Sequence, residues 1–321
     1  METITLGKTG LEVSRICLGT WQFGGDWGEI DRDEAVATVT RARELGINFF
    51  DTAQGYGWGA SEKLLAQALR GVPREQVVIA TKGGLRREGE KLVRDSSAAW
   101  LRKGVEESLG HLDSDYVDIY QVHWPDAKTP FAETAAALEE LVAEGKVRHV
   151  GASNFDAAQM ADFERAGRLE TLQPAYHMLR RDIEQSILPH CAAHDIGVLI
   201  YGPLAHGLLS GRFTRDTRLA PEDWRHGSDL FSGEAYRRNL EIVERLRKLA
   251  AELDITVAQL AIAWTLANPA VHVAIVGARR PDHVEGAAPA ADVHLDDDAL
   301  SRVEEILAQA AAVGGPSPEM V

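Results

Sequence analysis

The chain predicts an α/β protein: a single (β/α)8 TIM barrel with an N-terminal β-hairpin and extra helices near the C-terminus. Three observations predict it. Short apolar runs alternate with helix-length segments eight times, the rhythm of a parallel sheet with crossover helices. The runs lack polar alternation, as expected of strands buried on both faces. The connections are short, with no linker wide enough to divide 321 residues into two domains, which favours a closed barrel over an open doubly wound sheet. Residues 1–313 are read as the barrel domain, and 314–321, GGPSPEMV, as a flexible tail.

The opening reads as a hairpin, Ile4–Leu6 and Leu11–Val13 around a turn at Gly7–Gly10. Strand Arg15–Leu18 precedes helix Arg32–Leu45, Ile47–Asp51 precedes Ser61–Leu69, and Val77–Thr81 precedes Ser97–Leu109. Strand Val117–Val122 is followed by helix Phe131–Glu144, and Val147–Ala152 by Ala157–Arg165. The sixth unit is Thr171–Gln173 with helix Ile183–His194, and the seventh strand is Gly197–Tyr201. A long insertion with a charged helix at Gly233–Glu252 comes next. Thr256 and Gln259 form a capping box for helix Val257–Leu266. The eighth strand is Val271–Val276, followed by Pro281–Ala287 and a last helix, Asp297–Ala311.

Bulk composition narrows the function. A hydrophobic share of 45% with 26% charged residues suits a globular enzyme with a large core. A net charge of −15 argues against nucleic acid or an anionic membrane as partner. Cys17 and Cys191 lie in apolar surroundings without metal-ligand spacing, so no metal is expected and a reducing, cytoplasmic compartment is the simplest reading. The start, METITLGKTG, has no apolar signal-peptide core. No window approaches the roughly 18 apolar residues of a membrane span. The longest, Ala258–Ala267, is broken by Gln259 and Thr265.

The chemistry gathers at strand ends. Ile47-Asn48-Phe49-Phe50 stops on Asp51, and Tyr56 follows in a Gly-rich loop. The third strand runs into Lys82 and the fourth into His123. Successive strands of a barrel are neighbours, and the carboxyl ends of barrel strands are where its chemistry is done. Asp51, Tyr56, Lys82 and His123 therefore meet on one rim. A free tyrosine titrates near ~10, and an adjacent ammonium draws that value toward neutrality. Tyr56 beside Lys82 is thus a tunable proton donor, with Asp51 holding the lysine and His123 able to donate a hydrogen bond to a substrate oxygen. This suits protonation of an alkoxide as a carbonyl is reduced. Hydrolysis fits poorly, since no serine or cysteine nucleophile with a base stands out. The segment Gly55–Ala60, GYGWGA, lacks the third glycine of a dinucleotide fingerprint, and the next strand ends without the expected acid. A Rossmann site is rejected.

The strings NFFDTAQGYGWGASE, ATKGG, DYVDIYQVHWPD, GKVRHVGASNF, QPAYHMLRR and YGPLAHGLLSG resemble those of the aldo-keto reductases, in a match running from Gly19-Thr20-Trp21 to Gly277-Ala278-Arg279. The resemblance implies a tetrad of Asp51, Tyr56, Lys82 and His123, with Tyr56 as proton donor, and an NADPH cofactor bound extended. It implies Ser153, Asn154 and Gln173 on the nicotinamide carboxamide and Tyr201 stacked on its ring. Gly202, Pro203, Leu204, Leu208, Ser210, Gly211 and Arg212 match the loop around the pyrophosphate. Gly19, Thr20, Trp21, Gly277, Ala278, Arg279 and His283 fall among the implied cofactor contacts. Trp21 and Trp124 match walls of the substrate mouth, with Tyr56 and His123 at its base. The usual Glu-Asn pair that contacts adenine is replaced by Gly286-Ala287, and a Gln or Arg by His283.

Arg279 and Arg280 follow the eighth strand, where the adenosine end of an extended cofactor would arrive. Guanidinium groups there suit the 2′-phosphate of NADPH, with surface acids Asp282 and Glu285 as the competing partners. The leading function is an NADPH-dependent reductase of small aldehydes or ketones. The alternatives are a cofactor-binding regulatory subunit with little turnover, as some relatives of this fold attach to channels, and a barrel aldolase with Lys82 as Schiff base. The loops Gly24–Ile30, Pro125–Thr129 and Phe213–Leu230 shape the pocket, and Trp27, Trp58 and Trp224 are candidates for its lining.

Overall fold

The computed structural model describes residues 1–25, 28, 30–89, 91–220 and 223–313. Trp27 and the 314–321 tail, both singled out above, lie outside the described residues. The chain opens with β1 (Thr3–Thr5) and β2 (Glu12–Ser14), an antiparallel pair in which Ile4 faces Val13. Then come β3 (Ile16–Gly19), α1 (Arg32–Glu44), β4 (Phe49–Asp51), α2 (Ala60–Ala68) and β5 (Val78–Gly83). A second hairpin, β6 (Leu85–Glu88) with β7 (Lys91–Arg94), precedes α3 (Ala98–Leu112). The middle of the chain is β8 (Val117–Val122), α4 (Phe131–Ala143), β9 (Val147–Ser153), α5 (Ala157–Ala166), β10 (Thr171–Gln173), α6 (Ile187–Ala193) and β11 (Gly197–Tyr201). It ends with α7 (Gly233–Glu252), α8 (Val257–Leu266), β12 (Val273–Gly277), α9 (Pro281–Ala287) and α10 (Asp297–Leu307).

Strands β3, β4, β5, β8, β9, β10, β11 and β12 pair in parallel in that order. The ring closes where Ala274 of β12 meets Ile16 of β3. This is the (β/α)8 barrel expected. The hairpin β1–β2 covers its amino-terminal floor, with Leu6 and Val13 packed against Cys17, Phe49, Ile119 and Leu199. The extra helices lie where anticipated: α7 precedes α8 before the last strand, and α10 packs on α7.

Strand periodicity decides which side chains enter the barrel, because successive residues point to opposite faces. Phe49, Val78, Ala80, Ile119, Leu199 and Val273 fill the interior. The alternate residues Phe50, Ile79, Tyr120 and Val150 pack outward against the helices. Phe49 and Phe50 are both fully buried, and burying a side chain of that size stabilises by about 1.5–3 kcal/mol. Two residues beyond Phe49, Ala80 and Ile119 are Asp51, Lys82 and Gln121, with His123 two further on. The same alternation therefore carries the polar set inward at the carboxyl ends.

Most element boundaries shift from expectation by one to a few residues, and four of the shifts are informative. Strand β5 continues through Lys82 to Gly83, so the lysine is a strand residue with a fixed direction. Strand β4 is only three residues long; Asn48 ahead of it uses its side chain, its Oδ1 accepting from the Ser14 amide at 2.8 Å and its Nδ2 donating to the Glu12 carbonyl at 3.0 Å. The helix expected over Ile183–His194 is broken into a 3-10 turn, Asp182–Glu184, and α6. Pro189 accounts for the break: it has no N–H to give, and its ring would clash with the carbonyl a turn earlier. The last helix stops at Leu307 rather than running to Ala311.

Candidate active site

Lys82 sits at the centre, 1% exposed. Its ammonium donates to Asp51 Oδ2 at 2.6 Å, to the Thr52 carbonyl at 3.1 Å and to the Tyr56 hydroxyl oxygen at 3.0 Å. A lysine has three N–H donors and no acceptor, so all three are committed. Its Nζ also stands 4.7 Å from the Tyr56 ring centre. Gly83, the next residue, is required: a Cβ there would lie 1.8 Å from the Tyr120 hydroxyl. On the outer face, Thr81 Oγ1 donates to the fully buried Glu62 at 2.7 Å, which pins the strand behind the lysine.

Asp51, 2% exposed, is gripped from two sides. Besides Lys82 it accepts from Gln173 Nε2, at 2.8 Å to Oδ1. Burial raises its carboxyl above the usual range, and the lysine and glutamine draw it back. His123 packs edge-on to Tyr56 with ring centres 5.8 Å apart. Burial first, and the Lys82 charge second, hold its imidazole well below its ordinary pKa. The ring is therefore neutral at neutral pH and offers one N–H donor. Trp21 stacks on Tyr56 at 6.2 Å and on Trp224 at 6.1 Å, forming an aromatic column over the tyrosine.

A cavity of about 550 Å³ opens beside this cluster. Of the residues named from the sequence, its wall includes Gly19, Thr20, Trp21, Asp51, Tyr56, Gln173, Tyr201, Gly202, Pro203, Leu204, Ser210, Arg212, Gly277, Arg279 and His283. Ser153, Asn154, Leu208, Gly211, Ala278, Lys82, His123 and Trp124 are not on that wall. Leu208 and Ala278 are buried in the core. Ser153 Oγ donates to the Gln173 carbonyl at 2.8 Å, and Asn154 Nδ2 donates to the His123 carbonyl at 3.1 Å. Tyr201 donates its hydroxyl to Asn154 Oδ1 at 2.8 Å, which fixes its ring at the wall. Trp124 is buried under Arg94, whose guanidinium lies 5.0 Å from its ring. Trp58, at φ 53°, is covered by Arg87 at 4.8 Å.

Arg280 is not on the wall; its guanidinium donates to Asp282 at 3.0 and 3.1 Å. Arg212 Nη1 meets His283 Nε2 at 3.0 Å. Gln22 and His206, not singled out from the sequence, also line the cavity, as do Phe213 and Arg225 of the loop expected to shape the pocket and Thr256, read from the sequence only as a helix cap. Phe213 and Arg225 fall in the long insertion, where no periodic pattern marks direction. The wall suits an extended dinucleotide: a tyrosine ring at the end next to Tyr56, and the cationic side chains Arg212 and Arg279 at the other. A Cβ on Gly286 would meet nothing within 4 Å, so that part of the wall leaves room for a flat group.

Barrel, committed lysine and adjoining groove together define an acid–base oxidoreductase site. Comparison with known proteins narrows the class. Residues 15–308 match the model of the Aldo/keto reductase family. The chain is 39% identical to aldo-keto reductase YhdN of Bacillus subtilis over 89% of this chain and 87% of that one. It is 37% identical to an NADH-specific methylglyoxal reductase of Escherichia coli, covering 95% and 98%. The structure of a glycerol dehydrogenase from Gluconobacter oxydans superposes with a TM-score of 0.90 at 38% identity, covering 98% of both chains. The protein belongs to the aldo-keto reductase family. It is an NAD(P)H-dependent oxidoreductase acting on carbonyl or CH–OH groups.

Proposed function

We propose that this protein reduces small aldehydes or ketones with NADPH, reversibly, and that Tyr56 is the proton donor. The observation that carries the reading is the spent lysine: with all three donors of Lys82 committed, the Tyr56 oxygen accepts from the ammonium and its own proton is directed elsewhere. The ammonium stabilises the phenolate left after the proton departs, which lowers the cost of giving it up. Asp51 balances the buried lysine charge, and Gln173 holds Asp51. The neutral imidazole of His123 orients the substrate oxygen toward Tyr56 by donating its N–H. Tyr201 and Trp21 bind the nicotinamide half; Gly202, Pro203, Leu204, Ser210 and Arg212 wrap the pyrophosphate, and Arg279 and His283 meet the adenosine half. The cofactor, when bound, supplies a hydride to the carbonyl carbon.

NADPH rather than NADH rests on Arg279, which lines the cavity and can grip a 2′-phosphate with charge-assisted hydrogen bonds. The name of the Escherichia coli relative states the opposite preference, so cofactor choice is an arm of the test. Among the described residues no single helix is long and apolar enough to cross a membrane. Both cysteines are free and buried, in keeping with a cytoplasmic reading.

The deciding experiment is steady-state turnover of a panel of aldehydes, ketones and sugars with NADPH and with NADH. Turnover of several carbonyls at enzymatic rates supports the reductase. Tight NADPH binding with negligible turnover across the panel would put the regulatory-subunit reading in its place.

A further inference from the structure

Outside the active site, three side chains converge on one point of the helical layer. Glu164 lies near the carboxyl end of α5, His190 lies in α6, and His194 caps α6. His190 Nε2 stands 2.8 Å from Glu164 Oε2, and His194 Nδ1 stands 3.1 Å from Glu164 Oε1. Each carboxylate oxygen thus faces its own imidazole nitrogen. The four-residue spacing places both imidazoles on one side of the helix, and the rings stack at 4.2 Å with planes 16° apart. One ligand atom from each residue can be chosen so that all three lie within 4.8 Å of one another.

We infer that Glu164, His190 and His194 form a binding site for a divalent transition-metal ion such as Zn²⁺, Ni²⁺ or Co²⁺. Two imidazoles and a carboxylate are the donor set these ions prefer. Tetrahedral zinc at ~2.0–2.1 Å from its ligands separates adjacent ligand atoms by about 3.3 Å. The 2.8 and 3.1 Å contacts, one to each carboxylate oxygen, are within a few tenths of an ångström of that spacing, and side-chain rotation has to bring the remaining separations, at most 4.8 Å, to it. On binding, each ring keeps its proton on its other nitrogen, Nδ1 of His190 and Nε2 of His194. The side chain of His194 is 45% exposed, which leaves the ion an approach from solvent and room for water as a further ligand. The sequence reading looked for metal spacing only at the cysteines, whereas the signal was His190-Cys-Ala-Ala-His194.

Position says what the ion does. Helix α6 runs into the start of β11, so the site lies toward the amino-terminal floor, opposite Tyr56. Lys8, in the turn of the opening hairpin, donates to the His194 carbonyl at 3.2 Å and stands 3.7 Å from Glu164 Oε1. An ion here ties α5, α6 and the floor together and acts as a fastener, apart from catalysis. The Lys8 ammonium competes with it for Glu164.

The test uses untagged full-length protein, titrated with Co²⁺ followed by its visible absorption, and with Zn²⁺ and Ni²⁺ by calorimetry. The wild type should bind one equivalent in the micromolar range or tighter and gain thermal stability as the free ion rises. His194→Ala and Glu164→Gln should each weaken binding by at least ~tenfold, with turnover unchanged. Lys8→Gln should strengthen it. Absence of stoichiometric binding, or wild-type affinity in His194→Ala and Glu164→Gln, would overturn the inference.

Discussion

Gln173 donates its Nε2 to Asp51 Oδ1 at 2.8 Å, so the carboxylate that grips Lys82 is held from β10, four strands around the barrel from β4. The glutamine, implied by the family resemblance to hold the nicotinamide carboxamide, also faces the acid that grips Lys82. Gln173→Leu should therefore lower kcat as well as raise KM for the cofactor. Removing one hydrogen bond to a charged group costs about 1.5–3 kcal/mol, or roughly ten- to a hundred-fold. A change in cofactor KM alone, with kcat intact, would show that the contact to Asp51 has no catalytic weight.

Lys82→Met should abolish turnover near neutral pH, because Tyr56 loses both its hydrogen-bond partner and the charge that favours its phenolate. Asp51→Asn should do less damage, since the aspartate positions the lysine and passes no proton. Circular dichroism should show both variants folded. A Lys82→Met enzyme with the wild-type pH–rate profile would mean that the lysine and tyrosine are not coupled.

Much of this site was legible in the sequence because it obeys a period. Asp51, Lys82 and His123 stand at the ends of apolar runs, and a period of two aims them inward. The strands β8, β10 and β11 and the helices α7, α8 and α9 have the expected bounds for the same reason: their apolar residues repeat, and Thr256 with Gln259 makes the expected capping box. The hairpin β6–β7 was missed because it is charged and lies outside the barrel: only Leu85 of Leu85-Arg86-Arg87-Glu88 is buried, too little for a period to show. The Gln173–Asp51 contact spans 122 residues, and no local pattern encodes it. The loop carrying Arg225 was expected at the pocket but the residue was not named, and the Glu164 cluster was missed, for the same reason: such contacts arise only when separate helices and loops pack.

Acid should destabilise the fold through buried histidines. His123 and His177 are both buried, and burial holds each well below the usual imidazole value. Below pH ~6.5 the unfolded chain protonates them while the native state does not, so stability is full above that pH and falls as pH drops toward the native values. Each contributes up to ~1.4 kcal/mol per pH unit in that window. Urea unfolding at pH 7 and 5.5 should show the loss, and His177→Gln should flatten it by one proton's worth. The same slope in wild type and variant would show that His177 is not held neutral.

Cofactor choice should be carried by Arg279, because Arg279 lines the cavity and Arg280, paired with Asp282, does not. Arg279→Ala should raise the KM for NADPH by roughly ten- to a hundred-fold, the worth of one charge-assisted contact. The KM for NADH should barely move. Arg280→Ala should change either constant by much less. Equal wild-type use of NADH and NADPH would sink the assignment and direct attention to Gly286 and Ala287 on the same wall.

Replacing Tyr56 by phenylalanine tests the central claim most directly, because it removes one hydroxyl and leaves the ring against Trp21 and His123. Single-turnover reduction of an aldehyde should slow by roughly 10²–10⁴, the usual worth of one general acid, while the Kd for NADPH stays within a few-fold of wild type. A variant that keeps more than about a tenth of the wild-type rate would contradict the assignment of Tyr56 as proton donor.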